Sequence, residues 1–409
     1  MVHIMGFTLN IMMLGERCCG CGACAAICPK EALSMEPDDL GFIHPVSNGN
    51  ECVGCMACDR VCPVLNKNEN DLIRDAWWAQ AKDRQLLDQS SSGGIFGLLA
   101  TRVVSNGGIV CGAAWSNGCR SVRHVLAKTE DEAVLLRRSK YVQSTIDRSV
   151  YAGLRDAIKR GKQTLFVGTA CQVSAVRKYL GNLADSPLFL SVDIVCHGVP
   201  SPKLWEMWID YLSAKCGTDI EFVNFRCKST GWRDFSIAYS SAAHKVRETY
   251  FTADWYYESF QANASLRGSC LKCPAKRSCG SDLTIADFWG FQDLHPEFNY
   301  QDGVSAVLCN TNKGVEAFAS LSPLEKGHST FDEILRQNRS LQDPSSPYAE
   351  RDAFLSEVRE GRAMQTIIKR WKFGLTLRGR IHHLLARVKH RIIPRFRRIV
   401  RRLSGVASE

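Results

Sequence analysis

Short apolar runs alternate with polar and glycine-containing segments along the middle of the chain, from about residue 74 onward. Residues 76–79 and 109–115 have the continuous apolar character of buried strands. Between them, the small polar segment Ser90-Ser91-Ser92-Gly93-Gly94 is followed by apolar residues at helical spacing over 95–104. The pattern predicts a strand, a loop of small residues and a helix that begins at this loop.

Residues 164–195 give the clearest prediction of topology. Apolar runs at 164–167 and 189–195 predict two buried strands, and helical spacing over 173–180 predicts a helix between them. A short helical crossover makes the two strands parallel, so their carboxyl ends lie at the same edge of the sheet. Cys171 follows the first strand and Cys196 follows the second. We expect both thiols to face one crevice, where open α/β sheets usually bind ligands.

The next apolar pattern predicts a helix that begins at Ser201-Pro202 and stops before Gly217. Three short strands are then predicted, over 220–225, 235–239 and 246–251. We expect them to extend the sheet as antiparallel additions.

Two copies of one cysteine pattern lie near the start of the chain. In each copy three cysteines are separated by two residues, and the fourth follows after three more and precedes a proline. The copies are Cys18, Cys21, Cys24, Cys28 and Cys52, Cys55, Cys58, Cys62. At this spacing the first three thiolates hold one 4Fe-4S cluster and the fourth ligates its neighbour. We therefore expect Cys62 to complete the cluster of the first copy, and Cys28 to complete that of the second.

The two copies predict a bacterial-type ferredoxin module, and electron transfer as its chemistry. Iron–sulfur ligation would replace much of the hydrophobic core that some 50 residues cannot supply. Zinc knuckles are the alternative, although zinc sites seldom repeat four cysteines with this spacing and a proline. Cys19 lies outside the pattern and is assigned no role.

A third group of cysteines, Cys270, Cys273 and Cys279, precedes an apolar strand. A Cys-x2-Cys pair by itself fits a zinc site, a redox dithiol or part of a cluster. With Cys171 and Cys196, the pair Cys270 and Cys273 would supply four thiolates for a third 4Fe-4S cluster. Cys279 is a competing ligand.

Composition limits the class of protein and the cellular compartment in which it can function. The 409 residues suffice for two or three domains, and 45% hydrophobic residues is typical of globular proteins. Nineteen cysteines that include cluster ligands need a reducing compartment, which predicts the cytoplasm. The first fifteen residues contain apolar positions but no basic region before them, so we expect no signal peptide. No apolar run is long enough for a membrane-spanning helix.

The net charge of +10 comes from one segment, 369–402, which contains thirteen Lys or Arg and no acidic residue. Apolar residues recur there every three or four positions, so we predict a basic amphipathic helix with a kink at Pro394. Such a helix can lie on an anionic membrane surface, dock on an acidic partner or pack on its own domain. The density of arginines favours the membrane surface. Nucleic acid is not an expected partner, because the rest of the chain is not basic.

Five motifs occur in one order: the paired cysteine copies, Ser90-Ser91-Ser92-Gly93-Gly94, Gly168-Thr169-Ala170-Cys171-Gln172, the segment 193–201 around Cys196-His197-Gly198, and 286–290. In this respect the chain resembles the coenzyme F420 hydrogenase/dehydrogenase beta-subunit family, over roughly residues 18–321. The family turn carries proline where this chain has Ala170, and a third nearby cysteine such as Cys279 is not usual in it.

The resemblance implies a flavoprotein in which FAD exchanges electrons with the clusters and hydride with a deazaflavin or another small molecule. A flavin suits this role because it converts single electrons into a hydride. The implied flavin-site residues are Ser91, Ser92, Gly93, Gly94, Thr169 and Gln172, with Arg226, Lys228 and Arg233 for its phosphates or an anionic substrate. His197 is the candidate catalytic residue, as a proton shuttle.

Plainer alternatives remain open for these residues. The serine-rich loop can be a simple helix cap, the arginines can belong to a solvated basic hairpin, and His197 can make a structural hydrogen bond.

The predicted fold class is a 2x4Fe-4S ferredoxin module fused to a mixed α/β flavin-binding domain, with a helical basic tail. The predicted parts are an extension (1–15), the ferredoxin-type domain (16–66), an N-terminal beta-subunit-like region (74–158), a C-terminal α/β domain with flavin and third cluster (159–330) and the tail (331–409).

Two functions are carried forward. The first is an iron–sulfur flavoenzyme that takes electrons from a reduced ferredoxin-like carrier and reduces a small molecule. The second is a non-catalytic electron-transfer subunit of a larger hydrogenase or dehydrogenase.

Overall fold

The computed structural model describes residues 3–4, 7–242 and 244–374, with side chains from residue 9 onward. The predicted basic amphipathic helix and its kink at Pro394 therefore lie almost wholly outside the described residues, although its first residues belong to the last described helix. No helix of the described part is long and apolar enough to cross a membrane.

The N-terminal module is small, and much of its interior is sulfur. Its strands are β1 (His3–Ile4), β2 (Phe7–Thr8), β3 (Leu33–Pro37) and β4 (Ile43–Ser47), and its α-helices are α1 (Ala23–Ile27) and α2 (Ala57–Arg60), with 3-10 helices at Asn10–Met13, Gly15–Arg17 and Gly49–Glu51. The buried cluster contains four leucines and isoleucines and four cysteines: Leu9, Ile11, Leu14, Leu33, Cys18, Cys24, Cys58 and Cys62. The apolar core alone is thus very small, as expected of a segment stabilised by ligated clusters.

A nine-stranded mixed sheet forms the centre of the remaining chain. Its strands are β5 (Asp75–Ala81), β6 (Ile109–Ser116), β7 (Ser121–Ala127), β8 (Ser144–Thr145), β9 (Thr164–Thr169), β10 (Phe189–Ile194), β14 (Leu283–Asp287), β15 (Ser305–Cys309) and β16 (Leu324–His328). The spatial order is β16-β5-β15-β14-β10-β9-β6-β7-β8. The central strands β6, β9, β10 and β14 run parallel.

The predicted parallel pair is confirmed, with Phe189 opposite Thr164 and Ile194 opposite Thr169. The connecting helix begins earlier than predicted, at Ala170 instead of 173. Gln172 Oε1 accepts hydrogen bonds from the Thr169 N–H at 3.0 Å and from the Thr169 hydroxyl at 3.1 Å. This cap starts the helix directly at the end of the strand and places Cys171 in its first turn.

Helices cover both faces of the sheet. They are α3 (Arg84–Asp88), α4 (Ile95–Ser105), α5 (Glu130–Val134), α6 (Arg148–Lys159), α7 (Ala170–Leu180), α8 (Pro202–Cys216), α9 (Trp255–Gln261), α10 (Phe291–Leu294), α11 (Asn312–Ala319), α12 (Phe331–Gln337), α13 (Arg351–Arg359) and α14 (Met364–Arg370). Further 3-10 helices are Gly181–Asp185, Lys228–Thr230, Phe251–Ala253, Gly268–Lys272 and Arg339–Leu341.

The strands β11 (Phe222–Cys227), β12 (Ser236–Ser240) and β13 (Lys245–Tyr250) form a separate antiparallel sheet. The prediction that they extend the main sheet is therefore wrong. The inward residues of this small sheet, such as Phe225 and Ile237, pack with Trp205 of α8 in one buried cluster. The alternating apolar residues of these strands are buried against helices, so the strands need not pair with the large sheet.

Residues 331–374, the described part of the predicted tail, belong to the folded body. Phe354, Val358 and Ile367 are fully buried in the cluster that contains α8. Trp255 donates a hydrogen bond from Nε1 to the Trp371 carbonyl at 2.6 Å.

Candidate functional site: three cysteine groups and a large cavity

Two cavities in the N-terminal module group the cysteines as their spacing predicts. One cavity, of about 310 Å³, is lined by the four predicted ligands Cys18, Cys21, Cys24 and Cys62, and also by Cys19. The other, of about 360 Å³, is lined by Cys28, Cys52, Cys55 and Cys58. Each group thus combines three cysteines of one copy with the fourth of the other. We name them the inner group and the outer group, because Cys55 is exposed whereas Cys18, Cys21, Cys24 and Cys62 are buried.

The local backbone explains how each copy encloses its cavity. Gly22 has φ +79° and Met56 has φ +58°, at equivalent positions of the two copies, and each precedes a short helix that carries the third cysteine. A Cβ atom at Gly22 would lie 2.9 Å from the Ile146 carbonyl oxygen. The first copy therefore needs glycine, because the larger domain packs closely against it.

A third group of four cysteines lines a cavity of about 670 Å³ at the carboxyl edge of the parallel strands. Cys171 comes from the first turn of α7, Cys196 follows β10, and Cys270 and Cys273 come from the 3-10 segment after α9. Burial, with the neighbouring Cys171, raises the pKa of Cys270 to about 12. A thiol in such a place is easier to deprotonate when a metal accepts the thiolate. We name these four residues the third group.

Cys279 does not belong to the third group. It is buried against a carboxylate, with its Sγ 3.5 Å from Asp71 Oδ2 and its N–H donating to the same oxygen at 3.1 Å. Burial, Asp193 and Asp71 raise its pKa well above the usual value, and none of these causes is another cysteine. The structure therefore does not bring Cys279 to the third cavity, which argues against the sequence interpretation of this residue as a competing ligand.

Among the described residues, no group of three His, Cys, Asp or Glu side chains converges closely enough to hold a single metal ion. A cubane is held at its four outer corners, so its thiolates stand farther apart than those around one ion. The structural support for clusters is therefore the grouping of four cysteines around each cavity.

Cys19, to which the sequence assigned no role, lies between the inner and third groups. Its thiol contacts both Cys171 and Cys21, and these contacts and its burial leave its pKa well above the usual value. Tyr151 also connects the module to the larger domain, since its hydroxyl donates to the Cys21 carbonyl at 2.9 Å. The sulfur atoms of Cys21, Cys19 and Cys171 thus form a continuous series of contacts from the inner group to the third group.

The largest cavity of the described residues lies beside the third group and encloses about 1570 Å³, including its open mouth. Cys171 and Cys196 line both cavities. Its walls include five of the predicted flavin-site residues and the predicted catalytic residue: Ser91, Ser92, Gly94, Thr169, Gln172 and His197. We name it the main cavity.

The predicted loop of small residues is held by specific hydrogen bonds. Ser91 Oγ accepts from the Ser139 N–H at 2.7 Å, and Ser92 Oγ donates to the Val304 carbonyl at 2.9 Å. Gly93 does not line the cavity, and a Cβ there would lie 2.3 Å from the Ala79 carbonyl oxygen. Its role is close packing of the loop on β5.

None of the three residues predicted to bind the flavin phosphates, Arg226, Lys228 and Arg233, lines the main cavity. Arg226 is buried in an ion pair with Asp287. Lys228 donates to the carbonyls of Leu87 at 2.9 Å and Ser92 at 3.1 Å, and burial lowers its pKa to about 8. Arg233 is exposed. The strand around these residues belongs to the small sheet, which the sequence placed incorrectly.

The cations that do line the main cavity come from the loop before β8: Arg137, Arg138 and Lys140. Burial, with the neighbouring Arg138, lowers the pKa of Lys140 to about 7. The sequence interpretation missed this loop, although its basic run Arg137-Arg138-Ser139-Lys140 was a visible signal.

Two polar atoms of this wall, Arg137 Nε and Gln143 Nε2, are buried without a hydrogen-bond partner. His197, by contrast, interacts with the Asn263 side chain and the Phe260 backbone. Buried polar groups normally have partners, so the two unpartnered atoms fit a ligand that carries several hydrogen-bonding groups. The burial of His197 also lowers its pKa, which favours the neutral ring. The apolar wall and the cations of the cavity are compatible with a flavin dinucleotide, which has an apolar ring system and a negatively charged diphosphate.

Comparison with known proteins places two regions of the chain in families. Residues 17–66 match a 4Fe-4S dicluster domain. Residues 161–334 match the C terminus of the coenzyme F420 hydrogenase/dehydrogenase beta subunit. No curated protein matches the chain.

Among solved structures, the chain is similar to one from the F420-reducing NiFe hydrogenase complex of Methanosarcina barkeri. The identity is 15%, the TM-score is 0.45, and the match covers 70% of this chain and 93% of the other. The two family matches, in the order that the motifs predicted, confirm the resemblance to the coenzyme F420 hydrogenase/dehydrogenase beta-subunit family over residues 161–334, with a ferredoxin-type 4Fe-4S domain on the N-terminal side of that region.

Proposed function

We propose that the chain conducts electrons through three 4Fe-4S clusters between its surface and a flavin in the main cavity. The observation that carries the proposal is the order of the cysteine groups. The outer group contains the exposed Cys55, Cys19 lies between the inner and third groups, and Cys171 and Cys196 line the main cavity. Such a series suits successive one-electron transfers.

The protein residues would hold and orient the flavin. Bound FAD would convert single electrons into a two-electron hydride exchange with a deazaflavin or another small molecule. Arg137 and Arg138 would offset the negative charge of its diphosphate or of an anionic substrate. Lys140 would contribute less, because its Nζ donates to the Arg137 carbonyl at 2.8 Å and burial lowers its pKa to about 7. His197, whose pKa is lowered by burial, would serve as the proton shuttle at the cavity wall.

A second candidate function is an electron-transfer subunit that needs a partner oxidoreductase. The family description as a beta subunit favours it. The outer group also supports it, because Cys55 and the 57% exposed Val53 place that cluster at a surface that a donor or partner protein could approach. In this role the chain itself would turn over no substrate.

The reduced thiols favour the cytoplasm as the compartment. The basic segment 375–402, outside the described residues, would hold the protein at an anionic membrane surface.

The test is the cofactor content and the activity of anaerobically purified protein. Three clusters predict about twelve irons and twelve sulfides per chain with one FAD. About eight irons without flavin would overturn the third cluster and the hydride chemistry. With the full complement present, reduction of a deazaflavin by the chain alone would support the first function, whereas turnover only with an added hydrogenase or dehydrogenase protein would support the second.

A further inference from the structure

Arg267 is a buried cation at the boundary between the N-terminal module and the larger domain. It is 2% exposed. Its guanidinium donates from Nε to the Cys18 carbonyl at 2.6 Å and from Nη2 to the Ile43 carbonyl at 2.7 Å. Nη1 lies 3.3 Å from Gln143 Oε1, and Nη2 lies 3.3 Å from His44 Nε2. Burial and the charge of Arg267 lower the pKa of His44, which favours its neutral ring. None of these partners is an anion.

No carboxylate of the described residues lies within 4.0 Å of this guanidinium, in contrast to the other two buried arginines of that part of the chain. Arg226 pairs with Asp287, and Arg351 pairs with Asp352. Asp38 lies one residue further away, because it pairs with His44 at 3.3 Å, and His44 Nε2 lies 3.3 Å from Arg267 Nη2.

An uncompensated buried charge costs several kcal/mol, so a buried cation needs an anion close by. The positions of its contacts indicate where that anion lies. Cys18, whose carbonyl accepts from Arg267, belongs to the inner group. Cys270, whose N–H donates to the Arg267 carbonyl at 3.0 Å, belongs to the third group.

Backbone contacts also place Arg267 beside the third group. Its N–H donates to the Val199 carbonyl at 2.8 Å, and Val199 lines the cavity of that group. Arg267 also directly precedes the 3-10 segment Gly268–Lys272, which carries Cys270. The residue therefore lies between the cavities of the inner and third groups.

We propose that the anions are the thiolate-ligated clusters of the inner and third groups, and that Arg267 is a positioning residue that raises the reduction potential of both. This inference rests on the cluster ligation of the proposed function. Each cluster gains one electron and one negative charge on reduction, with no bond made or broken. A nearby fixed positive charge stabilises the more negative form. The outer group, with no contact to Arg267, is unaffected, so electrons that enter there are drawn inward.

The experiment is an EPR-monitored titration of the anaerobic holoprotein with dithionite. Arg267→Gln removes the charge but keeps an amide donor for the neighbouring carbonyls, and Arg267→Lys keeps the charge. In Arg267→Gln we expect the reduction potentials of the inner and third clusters to fall by at least about 59 mV. For a one-electron couple this is a tenfold change in the equilibrium constant of reduction. The Lys variant should stay near the parent protein. Arg351→Gln, which removes a buried but paired arginine, is the matched control and should leave all potentials unchanged.

A second variant covers the case in which Arg267→Gln does not retain its clusters. Gln143→Glu places a carboxylate beside Nη1 and neutralises the guanidinium without removing it, so it should shift the same two potentials in the same direction. If Arg267→Gln or Gln143→Glu retains its full iron content and the reduction potentials do not shift, the role of Arg267 is overturned. Parent protein that contains too little iron for a third cluster would instead overturn the proposed function.

Discussion

Arg226 and Asp287 form a buried two-point ion pair, with Nη1–Oδ2 at 2.6 Å and Nη2–Oδ1 at 3.3 Å. The guanidinium lies over the rings of Phe235 and Trp289, 4.3 Å and 5.0 Å from their centroids. Trp232 Nε1 donates to Asp287 Oδ1 at 3.0 Å. An arginine so engaged joins the small sheet to β14 and has little capacity left for a phosphate.

This pair predicts a structural effect of its disruption. Asp287→Asn leaves the Arg226 charge buried without a counterion, and we expect a loss of about 3–5 kcal/mol of stability. The melting temperature of the anaerobic holoprotein, followed by circular dichroism, checks this expectation. Arg84→Gln, which breaks an exposed ion pair with Asp302, is the control and should cost less than about 1 kcal/mol. Equal, small shifts in the two variants would contradict the structural role.

The separation of Cys279 from the third group predicts which thiols hold iron. Cys273→Ser removes a ligand from the third cavity, and we expect about four irons fewer per chain. Cys279→Ser should retain the full iron content, because its thiol faces Asp71 instead. Iron and sulfide analysis of the two variants, prepared side by side, measures the difference. Loss of iron in the Cys279 variant alone would restore that residue as a ligand.

Exposure of the outer group predicts the order in which clusters are lost. Cys55 is exposed, while Cys18, Cys21, Cys24 and Cys62 are buried. We expect air or ferricyanide to destroy the outer cluster first, with release of about four irons before the remainder. A time course of iron release with EPR spectra of the samples after reduction follows this. Simultaneous loss of all clusters would argue against a protected inner pair.

Burial of His124 predicts a sensitivity of stability to acid. The side chain is 1% exposed, and burial lowers its pKa from 6.5 to about 4. The unfolded chain therefore binds the proton more readily, so this stability contribution is present above pH 6.5 and is lost as pH falls toward 4. Between pH 7.5 and 5.0 the loss is about 2 kcal/mol.

His124→Gln stays neutral over this range, so its melting temperature should fall less than that of the parent protein between these two pH values. His328→Gln changes an exposed histidine, whose side chain is 73% accessible, and should behave like the parent. The same acid-induced decrease in the His124 variant as in the parent would show that another group is responsible.

The sequence by itself determined the parts whose chemistry is local. The spacing of the eight N-terminal cysteines allowed the prediction of how they are grouped across the two copies, because the geometry of ligation is encoded in short intervals. The parallel pair β9 and β10 followed from the length of one crossover. The convergence of Cys171 and Cys196 followed from that same pair, since parallel strands end at one edge.

Only the tertiary structure decided the contacts between distant segments. Cys279 is close to Cys273 in the sequence, but Asp71, some two hundred residues away, holds it apart from the third group. Arg226 pairs with Asp287, a carboxylate that no local sequence pattern connects to it. The cations of the main cavity come from the loop between α5 and β8. Spacing encodes what one segment can ligate, whereas the packing of sheets and helices decides which charges meet.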